Sequence, residues 1–137
     1  MTPAIGERLP GLAVTVEAAP MKPMALLLRD PNPIHLDPAA VAELGLGDRV
    51  INQGPLNAAY IWEMLGRWLG DSALVQTLDL RFTSSAFAGD RLLAEGIVDS
   101  IDAETATCSV WLSADDGRDV VRGTVVIRLL RQPVAGT

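Results

Sequence analysis

The sequence predicts an α+β domain in which one long helix lies against an antiparallel sheet. Three observations carry that reading. Residues 54–69 place Ala58, Ile61, Trp62, Leu65, Trp68 and Leu69 on one helical stripe. Four strand-like segments follow, at 74–82, 92–101, 105–112 and 120–130, with turn residues Gly89-Asp90 and Asp116-Gly117 between them. The chain has 137 residues, 49% of them hydrophobic, which suits a single domain spanning 1–137.

The elements can be justified in order. Residues 1–10 form a polar lead-in with Pro3 and Pro10. Residues 12–17 carry β-branched Val14, Thr15 and Val16 and read as a short strand. Pro20 and Pro23 bracket a helix start, and residues 24–29 are apolar and unbranched up to Arg29. Asp30-Pro31 ends that helix, because a residue before proline avoids helical geometry. Asp37 caps the next helix and Pro38 occupies its first position, where a missing N–H costs nothing. That helix runs to Gly45. In the long helix, Asn57, Glu63 and Arg67 are expected on the polar side, with Glu63 and Arg67 spaced for an ion pair. In the strand at 74–82, Leu74, Leu78, Leu80 and Phe82 share one face, with Asp79 and Arg81 on the other. The strands are expected to form an antiparallel meander, because short turns join antiparallel neighbours. Residues 133–137 are expected to fray.

Composition excludes several classes. Seventeen acidic against eleven basic residues give a net charge of −6, which argues against nucleic acid. No stretch approaches the roughly 18 apolar residues of a membrane span. The first residues lack a basic start and a long apolar run, so no signal peptide is expected. The single Cys108 excludes an internal disulfide and fits a reducing compartment, so the expected location is the cytoplasm. One histidine, one cysteine and scattered carboxylates supply no metal set, so no metal is expected.

The chemistry concentrates in Arg29-Asp30-Pro31-Asn32-Pro33-Ile34-His35-Leu36-Asp37, which holds the only histidine. Each proline fixes φ near −65° and pushes the residue before it toward extended geometry. A carboxylate and an imidazole are thus held on a stiff, irregular segment, as general acid–base work requires. The plainer reading is a helix stop with a structural histidine. Asn32 reads as turn chemistry.

Asp30-x-Asn32-Pro33-x-His35 resembles the hydratase motif of the MaoC-like, (R)-specific enoyl-CoA hydratases. Leu80-Arg81-Phe82 with Gly89-Asp90 resembles that family's strand and turn after the central helix, and Gly117 and Gly123 fall where its last hairpin carries glycines. The likeness spans roughly residues 10–131. Around Trp68-Leu69-Gly70-Asp71-Ser72-Ala73-Leu74 it is similar to short single-domain subunits, some of which pair with a second, different chain.

The resemblance implies a single hot-dog fold that pairs with another such unit. It implies that Asp30 and His35 are catalytic and bind the water that is added to, or removed from, a trans-2-enoyl/(R)-3-hydroxyacyl thioester. It gives Asn32 and Pro33 a supporting role. The substrate would be an acyl-CoA, with no cofactor, in fatty-acid, polyketide or steroid side-chain metabolism. The family's His-Gly at the start of the central helix is here Gln53-Gly54, preceded by Asn52 and followed by Pro55. Gly54 would offer a backbone N–H to the thioester oxygen. Pro55 has no N–H to add, and Asn52 or Gln53 would donate an amide in place of the histidine. A homodimer or a heteromer with a second hot-dog subunit is expected. The alternatives are a half-site or non-catalytic subunit and an acyl-CoA thioesterase. Arg118, Arg122, Arg128 and Arg131 are read as a solvated face, with Arg122 and Arg128 beside Val120 and Val126. Trp62, Met64 and Trp68 are read as core.

Overall fold

The computed structural model describes residues 2–130. Arg131 and the expected frayed end at 133–137 lie outside the described residues. A short strand β1 (Leu12–Thr15) leads to helix α1 (Met21–Leu28), a 3₁₀ turn (Pro33–His35) and helix α2 (Pro38–Glu43). The long helix α3 (Gly54–Leu69) follows, then a 3₁₀ turn (Ser72–Leu74) and strands β2 (Val75–Phe82), β3 (Arg91–Ile101), β4 (Thr105–Ala114) and β5 (Asp119–Arg128). The five strands form one antiparallel sheet in the order β1-β3-β4-β5-β2. A single helix held against a curled antiparallel sheet is the expected hot-dog architecture.

α3 packs across β1, β3, β4 and β5. Ile61, Met64 and Leu65 are fully buried there, facing Val98, Cys108, Val110 and Val125. β4 shows why the sheet folds around the helix. Ala106, Cys108, Val110, Leu112 and Ala114 alternate inward at a period of two, so one face is wholly apolar. Burial pushes the Cys108 thiol up to about 11, helped by Asp99 and Glu7.

Several expectations are corrected. β3, β4 and β5 form a meander, but β2 pairs with β5 and not with β3. Eight residues separate β2 from β3, too many for a tight hairpin. That segment crosses the end of the sheet and is pinned where Phe87 bridges Ile51. Trp62 lies at the margin of the helical stripe and is 41% exposed, whereas Asn57, expected on the polar side, is buried. A pattern of residue types cannot show that buried polar partners await Asn57. Phe82 is exposed rather than packed with Leu78 and Leu80. An irregularity between Leu112 and Ser113 buries both Val120 and Val121, so Arg122 does not share Val120's face. α1 begins at Met21, three residues before its expected start, and Pro23 falls in its first turn. Glu63 and Arg67 form the expected pair at 2.8 Å.

Arg118 also leaves the solvated set. The buried Asp90 carboxylate accepts from Arg49 and Arg118, each at 2.8 Å, and from the Phe87 N–H at 2.9 Å. Both guanidinium groups lie over the Phe87 ring. Burial alone would raise the Asp90 carboxyl, but these donors outweigh it and hold it below the usual carboxylate range. Asp90 therefore fastens the crossing segment to the start of β5.

Two predictions follow from this frame. With its folded pKa depressed, Asp90 binds fewer protons in the native than in the unfolded state. Its contribution is present above the ordinary carboxylate pKa and is lost as pH falls through the folded value. Asp90→Ala should cost about 3 kcal/mol in urea unfolding at neutral pH, and its deficit relative to wild type should shrink in acid. Gly123 sits opposite Leu80, and a Cβ there would collide with the Asp79 carbonyl oxygen. Gly123→Ala should therefore lower stability by about 3 kcal/mol and raise hydrogen exchange in β2 before the rest of the sheet.

Candidate active site

The segment carrying Asp30 and His35 is built from ordinary local rules. α1 ends because Arg29 takes a left-handed conformation (φ 51°), and the Asp30 N–H bonds back to the Ala25 carbonyl at 3.0 Å. Asp30 Oδ1 accepts from the Asn32 N–H at 3.0 Å, and Asn32 Oδ1 accepts from the Ile34 N–H at 3.2 Å. These two Asx turns in succession wind the chain into the 3₁₀ turn that ends at His35, with Pro33 at its first position. Asn32 and Pro33 thus shape the segment, as the motif implies.

Tertiary contacts then orient the ring. His35 Nδ1 lies 2.6 Å from the Ile51 carbonyl oxygen. A carbonyl can only accept, so Nδ1 carries the proton and donates. The Ile51 N–H returns a bond to the Ile34 carbonyl at 2.9 Å, so the two segments hold each other in register. Nε2 faces Asp30 Oδ2 at 3.5 Å. His35 is mostly buried and Asp30 is 38% exposed at its side chain.

This geometry has a direct chemical consequence. In the neutral imidazole Nε2 is an acceptor, and the carboxylate oxygen is also an acceptor. Their separation is too long for a direct hydrogen bond of ordinary strength. A water that gives one proton to each satisfies both and keeps its oxygen lone pairs for a substrate carbon. Asp30 Oδ1 is already engaged by Asn32, which leaves Oδ2 for this work.

An apolar cleft of about 400 Å³ adjoins Asp30, lined by Ala25, Leu26, Pro31 and Leu36 with Lys22 and Arg29 among them. Gly54 lies elsewhere. It opens α3, so its N–H is one of the four that a helix leaves without an internal partner. It lines a second cleft of about 320 Å³ with Asn52, Asn57, Phe82, Thr83 and Ser84. Two residues, Asn52 and Gln53, separate Gly54 from Ile51, which keeps the two Cα atoms within about 11 Å.

The amide N–H groups of Asn52 and Gln53 are committed within the protein. Asn52 Nδ2 donates to Asn57 Oδ1 at 2.9 Å and to the Tyr60 hydroxyl at 3.2 Å. Gln53 Nε2 donates to the Met21 carbonyl at 2.7 Å. Both residues are buried, and among the described residues their side-chain oxygens have no hydrogen-bond partner. An unpaired buried acceptor costs about 1–3 kcal/mol. The expectation that either amide replaces a histidine N–H at the thioester is therefore not met by this arrangement. Asn57 and Tyr60 were missed in the sequence. Asn57 lies four residues before the buried Ile61 and seven before Met64, but its residue type placed it on the polar side.

The hot-dog fold and the Asp30-to-His35 motif point to one family, and comparison with known proteins agrees on that family. The MaoC like domain matches residues 2–111, and the chain belongs to this hydratase and dehydratase family. It is 33% identical over 115 residues to the (R)-specific enoyl-CoA hydratase of Aeromonas caviae, covering 82% of this chain and 85% of that protein. The crystal structure of the A. caviae (R)-hydratase involved in PHA biosynthesis superposes with a TM-score of 0.84. It is 29% identical, covering 94% of this chain and 98% of that one. A chain of the ChsH1-ChsH2 complex from Mycobacterium tuberculosis shares the fold, with a TM-score of 0.81 at 22% identity, covering 94% of this chain and all of that one. Among the described residues, no helix is long and apolar enough to cross a membrane.

Proposed function

We propose that this protein hydrates a trans-2-enoyl thioester, or dehydrates the corresponding (R)-3-hydroxyacyl thioester, with coenzyme A as carrier. The observation that carries the reading is the convergence of Asp30 Oδ2 and His35 Nε2 at 3.5 Å, with the other ring nitrogen committed to a carbonyl. The (R) configuration is taken from the relative to which the chain is 33% identical.

In the proposed reaction a water sits between the two groups. As its oxygen bonds to C3 of the enoyl group, Asp30 Oδ2 takes one of its protons. The thioester carbonyl becomes enolate-like, and the Gly54 N–H at the positive end of α3 stabilises that charge. The proton crosses to His35 Nε2, which delivers it to C2. The pair gains one proton from water and returns one to carbon, so it ends as it began. Water and proton leave one side of the pair, which gives syn addition. No cofactor takes part.

The acyl group would lie in the apolar cleft beside Asp30. Leu26 and Leu27, on α1 next to it, are 74% and 79% exposed. Side chains of that size call for a covering surface, and the proposed one is a second hot-dog subunit, identical or different. A non-catalytic subunit would have no need of the Asp30–His35 arrangement, and a thioesterase would release free thiol from its substrate.

Purified protein with crotonyl-CoA and with a bulkier enoyl-CoA should bleach the conjugated thioester absorbance without releasing free thiol. Asp30→Asn and His35→Ala should each lower kcat by about 10²–10⁴-fold while the fold is retained. Wild-type rates in folded His35→Ala would defeat the assignment, and thiol release would replace hydration with hydrolysis.

A further inference from the structure

Two consecutive buried amides stand at the junction between the catalytic segment and α3, and hydration chemistry as described uses neither directly. Their side-chain bonds lead to different halves of the proposed pair. Gln53 Nε2 donates to the carbonyl of Met21, the first residue of α1. The orientation is not ambiguous, because rotating the amide would set Oε1 against another acceptor. The other end of α1 delivers Asp30, whose N–H is bonded to the Ala25 carbonyl within the same helix. Met21 is fully buried and Ala25 nearly so, so α1 is anchored along one side.

Asn52 serves the other half. Its main-chain N–H donates to the Ala86 carbonyl at 2.8 Å, and its side-chain amide bonds Asn57 and Tyr60 on the first two turns of α3. It directly follows Ile51, whose carbonyl sets the His35 ring. Among the described residues neither amide oxygen has a hydrogen-bond partner. What Gln53 and Asn52 hold, they hold through their side-chain N–H groups.

We infer that Asn52 and Gln53 are positioning residues that set the Asp30–His35 separation. Gln53 locates the carboxylate through Met21 and α1, and Asn52 locates the imidazole through Ile51. Both reference the same fixed body, the N-terminus of α3. The role in catalysis rests on the hydratase reading above, while the effect on the imidazole does not.

The single histidine makes the test direct. In untagged protein labelled with ¹⁵N-histidine, at a pH where the ring is neutral, His35 should appear as the Nδ1–H tautomer alone. Asn52→Leu should introduce the Nε2–H tautomer as a second population, while Gln53→Met should not. Both folded variants should lose about 10–100-fold in kcat with KM changed less than twofold. A residue needed only for stability would lower the melting temperature and leave both readouts in place.

Should Asn52→Leu fail to fold, Tyr60→Phe removes one acceptor of the Asn52 amide and should still add Nε2–H tautomer. Should Gln53→Met fail, Gln53→Asn falls one methylene short of Met21 and should still lower kcat. A pure Nδ1–H tautomer in every folded Asn52 or Tyr60 variant would overturn the Asn52 half. A kcat within twofold of wild type in every folded Gln53 variant would overturn the other half. If the wild-type protein hydrates no enoyl thioester, the functional reading fails, and the tautomer still decides whether Asn52 sets the ring.

Discussion

Residues 51–53 are the point on which the candidate site depends. Ile51 exchanges hydrogen bonds with Ile34 and His35, Asn52 bonds Ala86, Asn57 and Tyr60, and Gln53 reaches Met21. Three residues thus tie the catalytic segment, the crossing segment, α1 and α3 into one joint. Such bonds are individually modest, about 1 kcal/mol each in net terms. Their weight lies in geometry. The proposed reaction needs a carboxylate and an imidazole held to a fraction of an ångström, and the joint refers both to a helix buried against the sheet.

The joint is rigid because α3 is. Ile61, Met64 and Leu65 have no exposed surface, and four of the five strands contact the helix. On the far side, Asp90 holds two arginines and a main-chain N–H at once. This keeps residues 83–90 against residues 50–52, where Ala88 N–H bonds the Val50 carbonyl and Phe87 bridges Ile51. The Asp90 cluster and the candidate site are therefore mechanically continuous. Arg118 in an acidic chain reads first as surface charge, but it is committed to the frame.

The catalytic segment itself is an economical construction. Its local turns come from Asp30 and Asn32 capping the chain two residues ahead, and prolines restrict the alternatives. Asp30 Oδ1 closes the turn while Oδ2 faces His35 Nε2, so in the proposed reaction one carboxylate would serve both ends. Beside it lies an apolar surface on which Leu26 and Leu27 stand in solvent.

Much of this was legible in the amino-acid sequence. The α3 bounds, the caps at Asp37 and Gly45, the strand periods and the Asp30–His35 segment all follow from local rules that act within a few residues. A period of 3.6 or of two needs no knowledge of what lies across the core. The order of the strands did not follow, because whether β2 pairs with β3 or crosses to β5 is decided by packing around the helix. The burial of Asn57 and the exposure of Trp62 were also closed to sequence reasoning. Residue type predicts burial only on average, and Asn57 is buried because Asn52, brought to it by the fold, takes its oxygen. Likewise the sequence named the imidazole and the carboxylate, but only the tertiary structure chose the tautomer. That choice rests on the Ile51 carbonyl, sixteen residues from His35, and a contact at that separation exists only once the chain has closed around α3.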